Sequence, residues 1–258
     1  MTTKTDLSAF SLAGKRILVT GANTGIGQGI AVSIARAGGT VVGVGRSAMD
    51  DTAQKIAAAD GQFEAVNCDL ADHAAAQAML DSVWEETGPL DGLVNNAGII
   101  RRADAVDFSE ADWDDVTDVN LKTVFFLSQS FARRVLAEPG RCGKIVNIAS
   151  VLSFQGGIRV ASYTASKHGV LGITRLLACE WAAKGINVNA IAPGYIETNN
   201  TEALRADPDR SAAILARIPA GRWGGPEDIG DAAVFLLAPA SNYMHGAVVP
   251  VDGGWLAR

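Results

Sequence analysis

Cysteine and histidine are scarce, with three of each among 258 residues. Cys68, Cys142 and Cys179 are odd in number, far apart and never in a Cys-x-x-Cys pair. A disulfide framework is not expected, and a reducing cytoplasmic setting is. His73, His168 and His245 do not gather with cysteines, so no metal site is expected. No apolar run is long enough to cross a bilayer, and Met1 to Ser11 is too polar for a signal core. Positive charge is also short: 22 Lys and Arg face 28 Asp and Glu, a net charge of -6. That balance argues against nucleic acid or an anionic membrane as the main partner, while leaving local basic clusters free to serve a small anion. Charged residues are only 19% of the chain and hydrophobic ones 48%, enough for a sizeable core. With no internal repeat and no low-complexity linker, residues 1–258 read as one domain.

Short β-branched runs alternate with helical stretches along that domain. Lys15 to Thr20, Thr40 to Val44, Phe63 to Asn67, Leu90 to Val94, Lys144 to Ala149, Ile186 to Ile191 and Ala247 to Val251 read as strands. The alternation predicts an α/β fold, a doubly wound seven-stranded parallel sheet with helices on both faces. In such sheets ligands sit outside the carboxyl ends of the strands.

The first strand runs straight into Gly21-Ala-Asn-Thr-Gly25-Ile-Gly27, and helical character follows from Gln28. Glycines at 21, 25 and 27 let a ligand approach the backbone, and free amides at a helix start point at an anion. The turn, with Asn23, Thr24 and Ile26, is thus a candidate pyrophosphate cradle, although a bland tight turn has the same look. The second strand ends in Gly45-Arg46-Ser47, without the carboxylate that holds an adenosine ribose. A guanidinium there favours a 2′-phosphate, hence NADP(H). Alternatively Ser47 caps the next helix with Asp50 completing a capping box, or Arg46 stacks on the adenine of NAD(H). Asp69, before Leu70, either accepts from an adenine amino group or caps a helix from Ala71. Asn95-Asn96-Ala97-Gly98 at the fourth strand's end suits close packing on a cofactor or a plain turn.

Ser150 ends the fifth strand, and Tyr163 and Lys167 follow four apart, on one helix face. An ammonium beside a phenol favours the phenolate, which makes Tyr163 a candidate general acid and base. A solvated helix face is the bland alternative. Arg101-Arg102 beyond the fourth strand is either a carboxylate fork or a solvated charge pair. Gln155 and Arg159 lie in a loop facing the same end. Asn120, inside a helical stretch from Trp113 to Leu136, is merely tolerated or holds a water against a freed carbonyl. Residues 195–225 form a long polar connection, rich in arginine and carrying Asn199 and Asn200, and suit a lid.

Taken together these segments resemble the short-chain dehydrogenase/reductase family over nearly the whole chain. Thr20-Gly21-x3-Gly25-Ile26-Gly27 is similar to its cofactor loop and Asn95-Asn96-Ala97-Gly98 to its sheet motif. Asn120, Ser150, Tyr163 and Lys167 fall where its catalytic tetrad falls, and Pro193-Gly194, Ile196 and Thr198 where it meets the nicotinamide end. The resemblance implies hydride transfer with Tyr163 as acid and base, Ser150 orienting the carbonyl, Lys167 lowering the phenol's pKa, and Asn120 holding a relay water. It also implies a homotetramer, with the helix Ser162 to Ala183 and the Trp255 tail in interfaces. Ser153 to Arg159, Thr198 to Thr201, Arg217 to Trp223 and the tail from Gly253 are similar to members acting on deoxy sugar acids. For those the substrate set is expected to be Arg102, Ser150, Gln155, Arg159, Tyr163 and Asn200. A reductase of acyl or polyol ketones on the same core, and a non-catalytic nucleotide sensor, are the competing expectations. The sensor would be expected to lack part of the tetrad, and all four residues are present.

Overall fold

The computed structural model describes residues 6–258. Its strands are β1 (Arg16–Thr20), β2 (Thr40–Gly45), β3 (Gln62–Asn67), β4 (Gly92–Asn95), β5 (Gly143–Ile148), β6 (Ile186–Pro193) and β7 (Val248–Val251). Between them run α1 (Gly25–Arg36), α2 (Asp50–Ala57), α3 (His73–Thr87), α4 (Glu110–Thr117), α5 (Thr123–Ala137), α6 (Ala161–Trp181), α7 (Glu202–Ala206), α8 (Pro208–Leu215) and α9 (Pro226–Leu237).

The strands pair in the order β3-β2-β1-β4-β5-β6-β7, and every pairing is parallel. Chain order reverses between β1 and β4, which opens a crevice at the carboxyl edge. The apolar runs produce this directly. β1, β4, β5 and β6 are buried almost throughout, as strands covered on both faces must be. One face packs Ile17 and Val19 against Ile30 and Ile34 of α1 and Ile229 and Ala233 of α9. The other packs Leu18 and Leu93 against Leu80 and Trp84 of α3, Phe131 of α5 and Leu177 of α6. Each Val, Leu, Ile or Phe among them removed from water contributes about 1.5–3 kcal/mol. α1 and α9 touch closely because Gly230 lacks a side chain: a Cβ there would stand 2.4 Å from Ser33 Oγ. Among the described residues no helix is long and apolar enough to cross a membrane.

Polar links cross the core and fix the site's frame. Asn95 Nδ2 donates to Ser128 Oγ at 3.0 Å and to Asn147 Oδ1 at 2.8 Å. Asn147 Nδ2 in turn donates to Thr174 Oγ1 at 2.9 Å. β4, α5, β5 and α6 are thereby joined by side chains that are themselves buried. Removing one member would orphan its partner, at about 1–3 kcal/mol.

Two stretches differ from the sequence expectation. The helix expected from Trp113 to Leu136 is interrupted by a π turn, Asp118–Lys122, between α4 and α5. Periodicity alone does not reveal one extra residue in a helix. The connection 195–225 is not open loop: it contains a 3-10 turn, Asn199–Thr201, and then α7 and α8. Asp207 starts α8 by accepting from the Asp209 and Arg210 amides, with Pro208 first in the helix.

Candidate active site

A cleft of about 610 Å³ opens at the carboxyl edge of β1, β4 and β5, within the usual range for small-molecule sites. The first wall is backbone. Gly21 turns with a φ of +68° and Gly25 with a φ of +55°, values in which other residues are strained. Thr24 sits before α1 in an extended conformation, and no side chain caps the helix. The first-turn amides are therefore left to a ligand, and their dipole favours an anion. A Cβ at Gly27 would stand 2.0 Å from Gly21 O, so this cradle exists only with glycine. Thr20 Oγ1 accepts from the Asn96 and Ala97 amides at 2.9 and 3.0 Å, and Asn96 Nδ2 donates to Thr20 O at 2.9 Å. These bonds hold the end of β4 against the cradle. A dinucleotide's phosphates fit it.

At the end of β2, Ser47 Oγ accepts from Asn23 Nδ2 at 2.8 Å. It caps no helix: α2 begins after Met49, without a side-chain cap. Arg46 Nη1 lies 3.8 Å from Asp69 Oδ1, both side chains being mostly exposed. Asp69 accepts from the Ala71 amide at 3.0 Å, and the capping residue of α3 is Asp72 instead. Pro193, Gly194, Ile196 and Thr198 line the far side, with Leu70 and Gly98. All the residues expected to contact a dinucleotide line this one cleft.

The second wall carries the reactive groups. Ser150 leaves β5 into a 3-10 turn, Val151–Ser153, and its Oγ accepts from the Leu152 amide at 3.1 Å. Its own proton is donated to the Tyr163 phenol. Tyr163 and Lys167 project from the first turns of α6, with Nζ 5.6 Å from the Tyr163 ring centre. Lys167 is 4% exposed, and its Nζ donates to Ile148 O at 2.6 Å. Burial brings its pKa down to about 8. The expected lowering of the phenol is not what the chain alone produces. Burial pushes Tyr163 up; a hydrogen bond from Ser150 and the charge of Arg102 pull the other way. Burial outweighs both, which is why adjacency on one helix face does not by itself give a lower pKa.

Asn120 is fully buried in the π turn. Its Oδ1 accepts from Ile99 N and its Nδ2 donates to Ile99 O, both at 2.9 Å. The side chain therefore pins the loop after β4, leaving only the main chain to meet a water.

The expected substrate residues divide. Ser150, Tyr163 and Asn200 line the cleft. Arg102 stands at its rim, with Nη2 3.4 Å from Asn200 O, and its charge reaches Tyr163. Like Arg102, Gln155 and Arg159 are not in the lining itself. Gln155 Oε1 accepts from Trp255 Nε1 at 2.9 Å, and Arg159 Nε pairs with Asp104 at 3.1 Å. Both have partners within the chain, which loop position alone could not show. Trp255, expected in an interface, is 4% exposed and packs with Tyr195 and Trp223 of its own chain. Sequence reading passed over Ser153, whose Oγ accepts from Ser150 N at 3.3 Å and donates to Lys167 O at 2.7 Å. The Ser-x-x-Ser spacing of a capping box was the available signal. Arg101 and Asp115 also line the cleft, as an ion pair at 3.1 Å.

Residues 21–256 match a family model described as Enoyl-(Acyl carrier protein) reductase. Over 252 residues the chain is 56% identical to the 2-dehydro-3-deoxy-D-gluconate 5-dehydrogenase of Dickeya dadantii (strain 3937), covering 98% of this chain and 99% of that one. A crystal structure from Agrobacterium tumefaciens, described as a candidate 2-deoxy-D-gluconate 3-dehydrogenase with bound NADP, superposes with a TM-score of 0.92 at 65% identity, covering 97% of this chain and 99% of that one. One from Beutenbergia cavernae, described as a candidate NAD(P)-dependent gluconate 5-dehydrogenase with bound NADP at low occupancy, gives 0.93 at 52% identity over 97% and 100%. With the cradle, the tetrad and these likenesses together, the chain belongs to the short-chain dehydrogenase/reductase family.

Proposed function

We propose that this protein interconverts a ketone and a secondary alcohol on a deoxy sugar acid of the 2-dehydro-3-deoxy-D-gluconate or 4-deoxy-hexulosuronate type, using NAD(P)(H). The observation that carries this is the meeting of Ser150 and Tyr163 in the cleft that holds the glycine cradle. The names of the relatives supply the substrate class. Arg46, with Ser47 beside it, favours NADP(H), and the neighbours described with bound NADP agree in kind. Asp69 competes with a 2′-phosphate for Arg46, so NAD(H) is also accepted.

When bound, the cofactor supplies or takes up a hydride at the substrate carbon. Ser150 donates a hydrogen bond to the substrate oxygen and fixes its position. Tyr163 gives that oxygen a proton during reduction and takes it back during oxidation. Lys167, already held by Ile148 O, uses its remaining protons to hold ribose hydroxyls. Asn120 acts through its main chain in the π turn, where a carbonyl released from helical pairing takes the water that passes protons toward Lys167. Residues 195–225 act as a lid, since Thr198 already rests near Gly25 across the cleft.

The test follows absorbance of the reduced nicotinamide with both cofactors against the two deoxy sugar acids, with a 3-oxoacyl thioester as the competing substrate. Faster turnover of the thioester would overturn the sugar-acid assignment. Tyr163→Phe is expected to keep cofactor affinity and to lose about 10²–10⁴-fold in turnover. Near-normal turnover would remove Tyr163 from the acid–base role. We also propose a homotetramer, in which the outward face of α6, with Leu176 48% exposed, meets a second copy. Sedimentation giving a monomer would end that reading.

A further inference from the structure

The arginines around the cleft mouth do not have equal freedom. Arg101 pairs with Asp112 at 3.2 Å and Asp115 at 3.1 Å. Arg159 pairs with Asp104 at 3.1 Å, Arg205 approaches Glu197 at 4.0 Å, and Arg222 grips both oxygens of Asp228 at 2.7 and 2.9 Å. Arg102 alone of this group forms no ion pair among the described residues. Its one polar contact is a long one, Nη2 to Asn200 O at 3.4 Å. A guanidinium carries five donors in a flat fork, so most of them are unengaged. Its charge nevertheless reaches the Tyr163 phenol.

We infer that Arg102 is the receptor for the substrate's carboxylate, holding it at the rim between Tyr163 and the Asn199–Thr201 turn. This rests on the reading of the substrate as a sugar acid and goes on to say which cation recognises it. The geometry gives the fork two tasks. One edge stays on the Asn200 carbonyl and the other meets the two carboxylate oxygens. The turn it touches is stiff: Thr201 Oγ1 donates to Ile196 O at 2.7 Å, and Arg205 Nη2 donates to Thr198 O at 3.2 Å. A carboxylate on Arg102 is thereby tied to the turn that borders the cleft. It also neutralises the one guanidinium that pulls on the phenol, so the phenol titrates higher in the complex with an acid than with a neutral polyol.

The test titrates the NADP⁺-loaded enzyme by calorimetry with D-gluconate and with D-glucitol, in which a hydroxymethyl replaces the carboxylate. The wild-type protein is expected to bind gluconate about fivefold more tightly than glucitol, the scale of an exposed charge pair. Arg102→Gln should bring the two affinities together, Arg102→Lys should restore part of the difference, and Arg159→Gln should leave it intact. Arg102 is exposed, so its variants should melt with the wild type. In Arg102→Gln the acid limb of polyol oxidation against pH should also move upward, a change that a merely structural role would not produce. A wild-type ratio near one, or a ratio kept by Arg102→Gln and lost by Arg159→Gln, overturns the assignment. Turnover of 2-dehydro-3-deoxy-D-gluconate measured alongside separates the two claims. Carboxylate binding through Arg102 without turnover removes the proposed reaction and leaves the receptor standing. Turnover unchanged in Arg102→Gln removes the receptor and leaves the reaction.

Discussion

The cleft half from Gly21 to Gly27 is built of main chain, while the half formed by Arg101, Arg102 and the segment after Pro193 is built of side chains. The first half admits almost no alternative, because a Cβ at Gly27 meets a carbonyl at 2.0 Å. The second half is organised around an apolar cluster, with Trp223 and Trp255 buried beside Ile214 and Ile218. Arg217 lies over the Trp255 ring at 3.9 Å. Main-chain recognition serves a ligand whose phosphates never change. Side-chain recognition lets one core take different substrates. The difference teaches where each half should break.

The largest effect is expected on the side-chain half. Trp255→Ala removes a 4% exposed indole, its bond to Gln155 and its contact with Arg217 together. A cost of about 3–5 kcal/mol follows, or a fall in melting temperature of roughly 10 °C for a chain of this size. If the halves are independent, cofactor affinity measured by fluorescence quenching stays within about twofold, even though Thr198 of the second half rests near Gly25 of the first. Loss of cofactor binding in that variant would show that the tail supports both halves, and the comparison would fail.

Gly27→Ala is the converse. One methyl must push apart Gly21 O, at 2.0 Å, and Asn96 Nδ2, at 2.4 Å. Forced overpacking of this kind costs about 1–3 kcal/mol in stability. Cofactor binding should be abolished, because the displaced atoms form the cradle. Cofactor affinity equal to that of the wild-type protein would show that the turn is softer than its geometry implies.

The same division explains what could be read from the residues. Seven strands in a parallel sheet follow from apolar runs interrupted by helical stretches, because a buried parallel strand must be apolar on both faces, whereas their order came only with the fold. The glycine cradle was legible since only glycine tolerates its φ values. Ser150, Tyr163 and Lys167 were legible by spacing. The pKa of Tyr163 was not, because it depends on how deeply the fold buries the phenol. Nor was the fate of Arg159 or Gln155. An arginine in a loop looks the same whether it is free for a ligand or paired with Asp104, and only tertiary contact separates the two. The π turn around Asn120 escaped notice for a similar reason: its one-residue register shift leaves the apolar pattern almost intact.

The smallest expected effect calibrates the comparison, because it comes from the far end of a strand that belongs to neither half and leads into Ser150. Lys144 is the second residue of β5, whose carboxyl end leads into Ser150, and its Nζ donates to Ser241 Oγ at 3.0 Å. Burial brings its pKa down from 10.5 to about 8, with Lys15 pushing the same way and Cys142 opposing. Because the folded value is the lower one, the folded state binds fewer protons between about pH 8 and 10.5, and stability contributed by this group rises with pH across that window. Below it the charged amine is a standing cost, discounted because the side chain keeps some access to water. Lys144→Met should therefore gain on the wild-type protein in melting temperature at pH 7, by a small margin once the Ser241 bond is lost, and the difference should move against the variant as pH rises through the window. Cofactor affinity and turnover should not change, since no atom of the cleft is touched. A difference in melting temperature that is flat from pH 7 to 10, within about 0.5 °C, would mean that the amine is solvated in the folded state and titrates normally. A change in turnover would mean instead that strain at the start of β5 reaches Ser150, and that the sheet does not insulate the site from its far edge.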